Sequence, residues 1–114
     1  RAYVAPDVEL EDGTTIGHGV VVNSGARVGA NCIVNTGAII EHDAFVEAHC
    51  HIATGAIVNG GCTIGTGSMI GSRAVLLQGI QVGSECVVGA GAVVLRDVAP
   101  GLTMVGVPAN AITK

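Results

Sequence analysis

Four histidines carry the most obvious chemistry in this chain: His18, His42, His49 and His51. His42 has the most suggestive setting, lying between two carboxylates in Ile40-Glu41-His42-Asp43. A carboxylate beside an imidazole holds one ring nitrogen and makes the other more basic, which suits a general base near neutral pH. The competing reading is a charged cluster on a surface turn. The four cysteines, Cys32, Cys50, Cys62 and Cys86, are the other reactive groups. None of their spacings is of the CxxC type that a zinc cluster uses, so no metal is expected.

What positions these groups is a strict six-residue beat. From Val4 to Val94 an aliphatic residue returns at every sixth position, sixteen times in all. Four residues after each aliphatic comes a small or modest side chain. Three after it comes Gly, Asn or Asp, with His49, Arg73 and Glu85 as the exceptions. A period of six belongs neither to a helix nor to a simple strand; it marks a hexapeptide β-helix, a prism with one short strand per flat side. The aliphatic and the small residue point inward at each corner, and the Gly/Asn/Asp position takes the left-handed turn conformation. Three hexads close one triangular coil of eighteen residues, so the expected fold is all-β with about five coils over residues 1–99. Residues 100–114, PGLTMVGVPANAITK, leave the pattern and are expected to cap the last coil, whose open edge needs cover.

The hexad also assigns directions. All four cysteines occupy the small inward position, so they read as buried thiols that cannot carry an acyl group at the surface. Cys32 and Cys50, eighteen apart, stack in adjacent coils, but two parallel inward vectors suit a disulfide poorly. His18 and His42 fall at outward corners, His49 on a turn and His51 on a flat side. His42 and His51 are nine residues apart, half a coil, and therefore on opposite sides of the prism. A site using both must lie between two subunits. Thr36, Thr54, Ser72 and Ala90 form one column, so Thr54, Ser72 and Ala90 are expected to line a groove parallel to the prism axis, with His51 at one end.

Composition narrows the function. The net charge is −4, the five basic residues are scattered, and there is one Phe, one Tyr and no Trp. With no basic stripe and no stacking platform, nucleic-acid binding is not expected. No apolar run is long enough to span a membrane and no signal peptide is visible, so a cytoplasmic setting is the expectation. The missing initiator Met points to a fragment or a chain trimmed of an upstream domain.

Three segments carry a resemblance: Asn35-Thr36-Gly37-Ala38-Ile39-Ile40-Glu41-His42-Asp43, then His51-Ile52-Ala53-Thr54-Gly55-Ala56, and finally Val105-Gly106-Val107-Pro108-Ala109. Over nearly its whole length the chain resembles the sugar acetyltransferases of the NeuD/PglD type. These include sialic acid O-acetyltransferases and enzymes that acetylate the 4-amino group of nucleotide-linked sugars. The resemblance implies a left-handed parallel β-helix, a homotrimer with sites between subunits, and acetyl-CoA as co-substrate. It implies His42 as general base, Asp43 as the acidic residue that raises its basicity, and Asn35 as an active-site residue. It matches His51 to an acetyl-CoA contact, Ser72 and Ala90 to backbone contacts with the same molecule, and Gly106 to Ala109, including Pro108, to its adenine end. Direct attack of a sugar amine or hydroxyl on the thioester follows, with an oxyanion donor such as the His51 ring or a backbone N–H. Typical members also carry an N-terminal Rossmann-like domain that binds the nucleotide of the acceptor. This chain begins almost at the first coil, so it reads either as the C-terminal half or as an enzyme for a smaller acceptor. Two rivals are a non-enzymatic β-helix scaffold and a γ-class carbonic anhydrase. The second needs two His five apart and a third well upstream, against spacings of 24, 7 and 2 here.

Overall fold

A computed structural model describes residues 1–112; Thr113 and Lys114, the end of the expected tail, lie outside the described residues. The six-residue beat becomes a left-handed parallel β-helix of two-residue strands. Sheet A stacks β1 (Tyr3–Val4), β4 (Val21–Val22), β7 (Ile39–Ile40), β10 (Ile57–Val58), β13 (Val75–Leu76) and β16 (Val93–Val94). Sheet B stacks β2 (Glu9–Leu10), β5 (Arg27–Val28), β8 (Phe45–Val46), β11 (Thr63–Ile64) and β14 (Gln81–Val82). Sheet C stacks β3 (Thr15–Ile16), β6 (Ile33–Val34), β9 (His51–Ile52), β12 (Met69–Ile70) and β15 (Val87–Val88). The register is eighteen residues throughout, as in Ile57 opposite Val75 and Ile33 opposite His51. The result is a rod of 41 × 20 × 20 Å.

In each strand the second residue points inward. From Val22 to Val94 these aliphatics are buried in one continuous core with Ala26, Ala38, Ala56 and the cysteines. The beat is the same at the start of the chain, but Val4 and Ile16 are only half-buried and Leu10 is 41% exposed. They belong to the first of the described coils, which is packed from one side only. Every hexad from Gly13 to Gly91 turns through a residue with positive φ. Asn31, Asp43, His49, Arg73 and Glu85 adopt this conformation without being glycine, at φ between 56° and 62°.

The tail continues the prism. β17 (Thr103–Val105) adds to sheet C beside β15, bringing the solenoid to about six turns rather than five. β18 (Asn110–Ala111) then folds back antiparallel on β17. Between them the chain crosses to sheet A, where Val93 N–H donates to Gly106 O at 3.0 Å and Ala109 N–H to Val93 O at 2.8 Å.

Candidate functional site

His42 projects from the corner between sheets A and B, directly after β7. Its ring is exposed, and Nδ1 lies 3.2 Å from Oδ2 of Asp43. Asp43 reaches this position because it takes the left-handed turn conformation (φ 61°), which brings its carboxylate back beside the preceding side chain. The pairing fixes one ring nitrogen and leaves Nε2 unengaged within the chain. One coil on, the corner carries Gly60, and the His42 ring occupies the space where a Cβ at Gly60 would stand. Glu41, the other flanking carboxylate, turns away and accepts from Asn23 Nδ2 at 2.6 Å.

His51 is the first residue of β9, on the outer row of sheet C between Ile33 and Met69. Its Nε2 is buried and has no hydrogen-bond partner. A buried ring nitrogen without a partner is costly. Thr54, Ser72 and Ala90 are exposed and stack at the corner between sheets C and A. Their stacking is fixed by backbone bonds from Arg73 N–H to Thr54 O (2.9 Å) and from Gly91 N–H to Ser72 O (2.8 Å). Asn35 follows β6 on this same corner, where its Oδ1 accepts from Thr36 N–H at 2.8 Å.

A single chain therefore brings together His42 and Asp43 on one side, and Asn35, Thr54, Ser72 and Ala90 on another with His51 on the adjoining face. It does not bring Asn35 to His42; the two stand at opposite edges of sheet A, either side of β7. Gly106 and Pro108 are exposed beyond the end of the Thr54–Ala90 column, in the segment that crosses to Val93. An open cleft of ≈ 620 Å³ contains none of these residues: Glu47, Gln81, Gly83, Ser84 and Asp97 line it, on sheet B and the two corners beside it.

The cysteines are all buried. Burial raises the Cys62 thiol above its ordinary value, and Cys50 is raised by its hydrogen bond with Cys32 and by burial. The same hydrogen bond from Cys50 lowers Cys32 to about 7, but all four sulfurs are enclosed, and an enclosed thiol is no acyl carrier. Among the described residues, no group of three His, Cys, Asp or Glu stands close enough to hold a metal ion. No helix there is long and apolar enough to cross a membrane.

Comparison with known proteins fits this geometry. A model described as the hexapeptide repeat of succinyl-transferase matches residues 7–42 and 61–96, and one described as the bacterial transferase hexapeptide matches residues 43–78. A search of curated protein sequences returned no match. Among solved structures, the chain is similar to a His-to-Asn variant of perosamine N-acetyltransferase from Caulobacter crescentus in complex with CoA and GDP-perosamine. The identity is 33% and the TM-score 0.97, over 99% of this chain and 54% of that one. It is also similar to the acetyltransferase domain of PglB from Neisseria gonorrhoeae in complex with acetyl coenzyme A, with 38% identity and TM-score 0.72 over 97% and 57% of the two chains. WeeI from Acinetobacter baumannii matches at 27% identity and TM-score 0.81, over 95% and 56%. The chain thus spans a little over half the length of these relatives.

Proposed function

Since the chain belongs to the hexapeptide-repeat transferases, we propose that it moves the acetyl group of acetyl-CoA to an amino or hydroxyl group of a sugar. A nucleotide-linked 4-amino sugar is the favoured acceptor and sialic acid the second; the perosamine enzyme, bound to CoA and GDP-perosamine, supports the first. The observation that carries the reading is the exposed His42–Asp43 pair, with Nε2 engaged by no group of the chain, on a prism that presents an unpartnered His51 nitrogen on the opposite side.

The proposed working unit is a cytoplasmic homotrimer, because His42 and His51 of one chain cannot meet. His42 of one subunit would face the Asn35–Thr54–Ser72–Ala90 corner of its neighbour, with His51 beside it. Acetyl-CoA would lie along that corner, held by backbone groups of Ser72 and Ala90, with its adenine end toward Gly106 and Pro108. His42 takes the proton from the sugar nucleophile as this attacks the thioester carbonyl, Asp43 keeping the ring in the right tautomer and orientation. A donor on the His51 side stabilises the oxyanion. Bringing both substrates into one cleft removes much of the entropic barrier. Transfer is direct.

The test is acetyl transfer from acetyl-CoA to amino sugars by wild type and His42→Ala, both sized as assembled species. A loss of about 10²–10⁴ in rate with assembly and acetyl-CoA binding retained is expected for removal of a general base. An assembled wild type that neither binds acetyl-CoA nor transfers acetyl would leave the scaffold reading in place.

A further inference from the structure

We infer that Arg73 is a phosphate-binding residue of this site, gripping the phosphorylated part of coenzyme A; the inference rests on the acetyl-transfer reading above. The turn column of the C–A corner reads Gly19, Gly37, Gly55, Arg73, Gly91. Four of the five are glycine, as the left-handed backbone favours, and Arg73 holds the same conformation at φ 57°. A long side chain in this region is disfavoured, and such outliers are worth reading as functional. Conformation alone does not single it out, because His49 and Glu85 take it too, on the B–C corner. Place and charge do.

Arg73 follows Ser72 directly, on the corner that lines the proposed cofactor groove. Its Cγ passes over Gly55, 3.3 Å from where a Cβ there would stand. The start of the stem therefore leans back over the Thr54 coil, while the residue as a whole is exposed. No carboxylate claims its guanidinium: among the described residues the one ion pair is His42 with Asp43.

The chain is also short of alternatives. It carries a net charge of −4, yet the ligand proposed for it is a polyanion. Of its basic residues, Arg1 heads the first coil, Arg27 stacks over the Phe45 ring at 4.1 Å on sheet B, and Arg96 follows β16 at the A–B corner. Arg1 stands on the same corner beneath Gly19, four coils below; Arg73 is the one Lys or Arg there beside Thr54, Ser72 and Ala90. A guanidinium matches phosphate oxygens in pairs of charge-assisted hydrogen bonds, which a glycine in its place cannot offer.

The test uses Arg73→Gly, a change that suits the backbone and so should not unfold the protein; its melting temperature is expected to equal or exceed that of wild type. Calorimetry would compare CoA, dephospho-CoA and pantetheine on wild type, Arg73→Gly and Arg73→Lys. Arg73→Gly should weaken CoA about ten- to hundred-fold, flatten the salt dependence of binding, and leave pantetheine unchanged. Arg73→Lys should fall between. If dephospho-CoA already binds wild type as weakly as CoA binds the variant, the 3′-phosphate is the partner; if it binds wild type as CoA does, the diphosphate is. Wild-type binding of CoA that Arg73→Gly retains, with the same salt slope, overturns the inference alone. A folded, assembled wild type that binds no CoA overturns the acetyl-transfer reading and this inference with it.

Discussion

Gly60 is small, buried and a full coil away from His42 in sequence, yet it decides where the His42 ring can lie. Its backbone is not in the left-handed region, so alanine fits the chain there without strain; the methyl group fits only if the ring moves. Gly60→Ala is expected to keep the fold and acetyl-CoA binding while lowering kcat about 10- to 100-fold, because small misplacements of a reacting group are expensive. Steady-state kinetics beside calorimetry would show it, and an equal loss of cofactor affinity would contradict it. The His42–Asp43 pair was legible in the sequence because its members are neighbours in the chain. Gly60 was not, since its relation to His42 exists only once eighteen residues close a coil. Asn35 shows the same limit from the other side. Motif resemblance groups it with His42, while in space it caps Thr36 across the width of sheet A.

At the level of elements, the strands and turns follow the hexad closely, down to the three turn positions where His49, Arg73 and Glu85 replace the usual small residues. A small or modest side chain describes the inward column by size alone, and that is incomplete. Thr14, Cys32, Cys50, Ser68 and Cys86 stack along the B–C corner, each donating to a carbonyl of the next coil. Ser68 Oγ donates to Gly83 O at 2.8 Å and accepts from Cys86 N–H at 3.0 Å. The signal was present as a donor at every eighteenth residue, but a serine and a thiol look alike to a volume argument. Ser68→Ala leaves a buried carbonyl and a buried amide short of partners and should cost about 1–3 kcal/mol. Ser68→Cys, which restores a donor of the kind used at Cys32 and Cys50, should cost less. Thermal or denaturant melts of the two variants would check the ranking, and equal losses would mean that packing, not hydrogen bonding, governs the column.

The whole molecule has three unlike faces. The outer row of sheet B is mostly polar (Glu9, Arg27, Phe45, Thr63, Gln81) and that of sheet A is apolar but half-buried from Val21 to Val93, while sheet C exposes Ile33, Met69 and Val87 at 45%, 39% and 41% among Thr15, His51 and Thr103. Exposed aliphatics in a row on one face are what an assembly surface offers. Ile33→Glu with Val87→Glu is expected to leave a folded monomer in sedimentation analysis and to abolish transfer although His42 and Asp43 are untouched. A trimer that survives both charges would move the interface elsewhere. Such a face was not legible from composition, because the outer and inner residues of each strand are both aliphatic and only closure tells them apart. Closure has a further effect. From β9 to β17 the chain climbs three strand spacings, roughly 14 Å of rise, whatever its side chains. The prism is thus a ruler graduated in coils. Lengthening it by eighteen residues would add one graduation and leave every column aligned, whereas any other insertion would rotate the upper half and carry Ser72 and Ala90 round to a different face. The reach between His51 and the Gly106 segment is counted by the chain, not tuned by contacts.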